Sequence, residues 1–232
     1  MHTLRLTRAA LASGATVTAL LALLPATGDA ALFTFGSALT APANVAEARQ
    51  ADTAYWQTTL TGGRSPRSPA TGQVKSFKVK GIALSTPRAG VPGGETLFHL
   101  QALRKRANGT YKVLRTSQGF KLPHRGTDPQ RITTYRPTNF CIAKGDVLAL
   151  NTVGGWDGIA NGAGPYPMGT PLQIFARVPG ALVSEFMGAG KTNNGAILRP
   201  RTSRGRDHEL LMQETVGTGR NGTGLCPGGT GR

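Results

Sequence analysis

RITTYRPTNFCIAKGDVLALNTVGGW, residues 131–156, is the stretch whose reading decides the fold. Ile132 and Thr134 alternate with Thr133 and Tyr135, and Val147 to Val153 is rich in β-branched and aliphatic residues, so each part reads as a strand. Between them, Ala143-Lys144-Gly145-Asp146 supplies the Gly and Asp suited to a tight turn. The expected order is strand, irregular corner holding Cys141, central strand, then a glycine-rich loop with Trp156 and Asp157.

The same alternation recurs on both sides. Upstream, Leu32 to Ser37 and Thr53 to Leu60 read as strands, the second carrying Tyr55 and Trp56, one of which is expected to cap the core. Val74 to Leu84 reads as a strand whose alternation slips near Ser76 and at Gly81, the mark of a bulge. Asn108-Gly109 is the strongest short hairpin signal, joining 95–106 to 110–118. Downstream, Pro171 to Val178 reads as a strand, Ala181 to Met187 as a short strand or edge and Glu209 to Val216 as a last strand, although its ELLMQE core would also suit a helical turn; a long loop covers 154–170. Roughly nine short strands and no long helical pattern predict an all-β fold, an antiparallel two-sheet β-sandwich. The domain is expected over 31–217, followed by a Gly-rich tail over 218–232.

Residues 1–30 have a basic front with Arg5 and Arg8, an apolar middle from Ala9 to Leu24, then Pro25 and small residues up to Ala30. That is the pattern of a secretory signal peptide cut between Ala30 and Ala31, and its apolar run is shorter than the roughly 20 residues a membrane span needs. A secreted chain without a membrane span is expected. The net charge is +16, and loss of Arg5, Arg8 and Asp29 lowers it by one. Such a balance speaks to partners rather than to fold. Outside a cell the abundant polyanions are envelope phosphates, acidic polysaccharides, anionic lipid headgroups and free nucleic acid; specific nucleic-acid recognition is not expected. Cys141 and Cys226 form an even count in an oxidising compartment, which favours a disulfide over two unpaired thiols.

Several chemistries lack support. Gly190-Lys191-Thr192 suggests a phosphate loop, but Glu185 occupies the position where that motif needs its first Gly. His99, His124 and His208 are scattered without ligand spacing, which argues against a zinc site, and no G-x-S-x-G esterase elbow occurs. Asp146 and Asp157 could share a calcium ion with loop carbonyls, although two carboxylates without a loop pattern carry little. No cofactor or metal is expected, and catalysis is the less favoured reading.

Two features could bind a partner. In the 154–170 loop, Trp156 and Tyr166 could stack on a sugar while Asp157 and Asn161 supply hydrogen bonds; the plainer reading is a surface loop with one ring folded onto the core. The second is a cation set, Arg104, Lys105 and Arg106 with Arg199, Arg201, Arg204 and Arg206, whose plainer role is solubility.

TFGSALTAPAN, DTAYWQT, PTNFCIAKGDVLALNTVGGWD and ELLMQETV together resemble a group of secreted β-sandwich proteins of high-GC bacteria, to which no functional residue is assigned. The resemblance implies a jelly-roll-like or galactose-binding-like sandwich, similar in fold type to carbohydrate-binding modules. The expectation is a non-catalytic extracellular module recognising polysaccharide or an anionic envelope polymer. The alternatives are a hydrolase acting on extracellular polymer and a structural or adhesive protein without a small ligand.

Overall fold

The structure, a computed structural model, describes residues 31–84, 95–156, 171–188, 191–203, 205–218 and 226, with the backbone alone at 95 and 153–156. Among these residues every regular element is a strand. The smaller sheet contains β1 (Leu32–Gly36), β4 (Gly72–Lys80), β8 (Ile132–Tyr135), β9 (Cys141–Ile142) and β14 (Met212–Gly217). The larger one contains β2 (Val45–Glu47), β3 (Thr53–Thr59), β5 (Ile82–Ala83), β6 (Glu95–Lys105), β7 (Tyr111–Leu122), β10 (Val147–Trp156), β11 (Leu172–Met187), β12 (Ile197–Leu198) and β13 (Arg206–Leu210). The smaller sheet runs β1-β14-β4-β8 with β9 beside β4; the larger runs β12-β7-β6-β10-β3-β11-β13, with β2 and β5 also on β11. All named pairings are antiparallel. The all-β, two-sheet expectation holds.

Several of the strands beyond the expected nine come from places where the chain changes sheet, while β2 and β12 are short segments added to the larger sheet. At Gly81, φ is +127° and a Cβ would sit 2.1 Å from the Gln173 carbonyl oxygen, so only glycine lets β4 of one sheet pass into β5 of the other. The slip expected there is this crossing; the slip near Ser76 is a register shift against β14. The 143–146 turn, with Gly145 at φ +87°, carries β9 of the smaller sheet into β10 of the larger. Glu209 to Val216, expected as one strand, divides at Leu211, whose N–H donates to Ile174 in the larger sheet while its carbonyl accepts from Lys80 in the smaller. Conversely, 171–178 and 181–187 are one bent strand, β11, with its irregularity around Gly180.

Two cores follow from the period-2 alternation of β3. Tyr55 faces the space between the sheets, where Phe77, Phe98, Phe120 and Tyr135 form a ring cluster; Phe77 and Tyr135 stack at 5.1 Å between centroids and Phe98 meets Tyr135 edge-on at 5.2 Å. Such pairs add about 0.5–1.5 kcal/mol each beyond their burial. Trp56 faces the other way, into a second core with Leu103, Tyr111, Val113, Val147 and Leu198. Both rings of the Tyr55-Trp56 pair are thus buried, one in each core.

The second core is covered by a strap. Ile197 and Leu198 pair with Lys112 and Tyr111 of β7, and only three residues later Arg201 exchanges backbone hydrogen bonds of 2.8 and 2.9 Å with Glu185 of β11. Three residues reach about 10 Å, so the larger sheet curls until one short segment touches both β7 and β11. Cys141 and Cys226 are disulfide-bonded with Cα atoms 5.6 Å apart, holding position 226 against β9.

Candidate anion-binding surface

The carboxylates are mostly spent inside. Asp146 is 2% exposed; it accepts Arg104 Nε at 2.8 Å and Nη2 at 3.0 Å, and also the Ala143 N–H. Glu47 and Glu185 both hold Arg49, at 2.7 and 2.8 Å. Buried Glu209 accepts the Ser37 hydroxyl. Glu214 points into the core at Gly36, where a Cβ would collide with its carboxyl; burial pushes that carboxyl well above the usual range, against smaller opposing effects of its own backbone and the Arg64 charge. Among the described side chains, Asp128 and Asp207 are the exposed acids, and each caps a turn by accepting from a backbone N–H, of Gln130 and Gly180 respectively. Against these two, sixteen Lys and Arg side chains are exposed.

One end of the larger sheet concentrates them. Asn108-Gly109 forms the expected hairpin tip, with Gly109 at φ +80° and the Asn108 side-chain oxygen accepting from the Thr110 N–H and hydroxyl. Lys105 pairs with Tyr111 and Arg104 with Lys112, which sets Lys105, Arg106 and Lys112 around the tip. The Leu198–Tyr111 pairing then delivers Arg199, the next residue, to the same tip. Arg104 keeps about half of its side chain exposed while Asp146 fixes its fork, and that hydrogen bond raises its already high pKa. The 143–146 turn adds Lys144, and Arg67 reaches it by donating to the Gly145 carbonyl at 3.2 Å.

The expected cation set therefore divides. Arg104, Lys105, Arg106 and Arg199 come together, whereas Arg201 and Arg206 lie on the far side of the strap, opposite Glu185 and Leu182 of β11. Arg204 lies outside the described residues. Lys112, Lys144 and Arg67 join the tip although the sequence offers no reason to group the last two with it; no local signal reports contacts between such distant segments. Of the proposed stacking loop, the Trp156 backbone pairs with Glu95 at the end of β10, and its side chain, Asp157, Asn161 and Tyr166 lie outside the described residues. The calcium reading meets a competitor in Arg104, which occupies both Asp146 oxygens, and no group of three potential metal ligands occurs among the described residues.

A second polar feature is a recess lined by Glu47, Arg49, Tyr55, Glu185 and His208, with Phe175, Val183 and Gly205, which has room for about one water molecule. Ligand pockets, at roughly 300–1,000 Å³, are far larger. Arg49 is 6% exposed; burial alone would lower its pKa, but Glu185 and Glu47 outweigh that and raise it. His208 stands 3.5 Å from Glu47, and burial raises the Tyr55 hydroxyl pKa. Glu47 and Glu185 are thus held by one guanidinium, and the cluster ties β2, β3, β11 and β13 together.

No family model, curated protein sequence or solved structure matches this chain. No helix among the described residues is long and apolar enough to cross a membrane.

Proposed function

We propose that this is an exported, non-catalytic module that binds an anionic envelope polymer, such as an acidic polysaccharide, through the cationic end formed by Lys105, Arg106, Lys112 and Arg199. The observation that carries this reading is the inequality of exposed charge among the described residues, sixteen cations against two carboxylates. Export is supported by the first thirty residues, with β1 starting at Leu32, just past the expected cleavage bond. A surface of one sign raises the local concentration of a polyanion and speeds its capture. Arginine forks suit carboxylate, sulfate and phosphate oxygens alike.

The mode of binding makes a numerical expectation. If four cations each displace a counterion, the logarithm of affinity falls with the logarithm of salt with a slope of about −3. The test is titration of the protein lacking residues 1–30 with an acidic and a neutral polysaccharide at rising salt, alongside the triple variant Lys105→Glu, Arg106→Glu, Arg199→Glu. Binding of the acidic polymer that fades with salt and drops at least tenfold in the variant supports the proposal. Preference for the neutral polymer, or affinity indifferent to both salt and charge reversal, overturns it.

A further inference from the structure

The strap over the second core is held by side chains as well as backbone. Asn151, 3% exposed on β10, places its side-chain nitrogen 2.8 Å from the Thr192 hydroxyl oxygen and 3.0 Å from an Asp52 carboxylate oxygen. The Thr192 hydroxyl donates to that same Asp52 oxygen. Gln101, 2% exposed, fixes the backbone from the other side by donating to the Thr192 carbonyl at 2.8 Å. Thr192 itself is 5% exposed. Asp52 is partly open to solvent and sits at φ +59°, its N–H donating to Thr152 and its carbonyl accepting from Gly188. A hydroxyl, a carboxylate able to take its proton and a primary amide thus meet where β10 and the strap touch.

We propose that Thr192 and Asn151 condense into an intramolecular ester cross-link. The Thr192 hydroxyl proton passes to Asp52 as its oxygen attacks the Asn151 side-chain carbonyl carbon. The resulting tetrahedral centre expels the amide nitrogen, which receives the proton back from Asp52 and departs as ammonia. One C–O bond forms, one C–N bond breaks, and Asp52 ends as it began, so no oxidant or co-reactant enters. With an amide C–N bond of about 1.33 Å, the attacked carbon lies no more than roughly 4 Å from the hydroxyl oxygen, near the separation from which positioned groups react. Asp52 is placed as a general base of the kind that activates Ser and Thr nucleophiles. Burial of Asn151 and Thr192 shields the ester from water, while the open side of Asp52 leaves ammonia an exit.

A nearby pair provides an internal contrast. Gln101 donates to the Thr116 hydroxyl at 3.2 Å, but that hydroxyl donates to the Asn194 amide oxygen and not to a carboxylate. The bond is assigned to Thr192 and Asn151 alone, and it would fasten the strap to the centre of the sheet across 41 residues of chain.

Mass spectrometry decides the matter. The intact disulfide-bonded protein is expected to weigh one ammonia less than its sequence, and trypsin should release residues 145–177 and 192–201 as one branched species. Asp52→Asn and Thr192→Val are expected to abolish the branched species, and Thr192→Ser to keep it. Recovery of the two peptides separately at their sequence masses overturns the proposal. So does an ammonia loss confined to one Asn-Gly peptide, which marks a succinimide. Should a variant fail to fold, the peptide map of the unaltered protein still separates these outcomes.

Discussion

Arg49 and Arg104 are both held by carboxylates, and their settings differ. Arg49 is 6% exposed and held between Glu47 and Glu185, whereas Arg104 is 53% exposed and grips Asp146 with one face of its fork. The first leaves nothing for solvent; the second fastens a turn and still presents charge outward. Beyond Arg104, Lys105, Arg106 and Arg199 continue the exposed series. The difference teaches that most of the described acidic side chains serve architecture, so that the described surface is more cationic than composition alone would suggest.

The sharpest way to break the comparison is to remove each guanidinium in turn. Arg49→Met strands two sheltered carboxylates and is expected to cost about 3–5 kcal/mol, the range for breaking a buried pair by deleting one partner. Arg104→Met leaves one carboxylate that still accepts the Ala143 N–H, and about 1–3 kcal/mol is expected. Denaturant midpoints at unchanged slope measure both. Equal losses would mean that burial does not separate the two sites.

Glu214 offers a gentler probe, because it is a carboxyl enclosed without a cation at contact. Its folded pKa lies above the unfolded one, so the native state binds the extra proton, and its contribution to stability is complete below the unfolded value. That contribution declines as pH rises from the unfolded pKa toward the folded one, by up to about 1.4 kcal/mol per pH unit. Glu214→Gln is expected to be the more stable protein at neutral pH, with the advantage shrinking to nothing near pH 4. Thermal melts across that interval would show it, and a constant offset between the two proteins would contradict it.

The smallest change in stability belongs to the hairpin tip. Reversing Lys105, Arg106 and Arg199 should move the folding free energy by no more than about 0.5 kcal/mol per site, since these side chains are exposed. The same triple variant is the one expected to lose its polyanion, so the far end of the comparison is a large effect on binding with little on folding.

Much of this was readable in the residues. Asn108-Gly109 between alternating runs specified a hairpin, and the repeated short apolar alternations specified two facing sheets. The sheet crossings were not readable. ELLMQETV runs through Leu211 with no Gly, Pro or other turn residue, and nothing local says that its two halves pair with different sheets. The cation run from Arg199 to Arg206 looked continuous, but the strap bends it from β7 to β11 and sends its two ends to different places. Disposal of the carboxylates was invisible for the same reason, since Arg49 and Glu185 are 136 residues apart and Arg104 and Asp146 are 42 apart.

The scarcity of exposed acids has a practical corollary. A surface that mixes both signs changes its grip as the medium acidifies, because its carboxylates switch off within the range microbes and tissues produce. Here arginine, which keeps its proton at any pH a protein tolerates, supplies ten of the sixteen exposed cations among the described residues, and two exposed carboxylates share that surface with them. The protein's side of such an attachment would keep its charge from sour to neutral surroundings, and brine would loosen it.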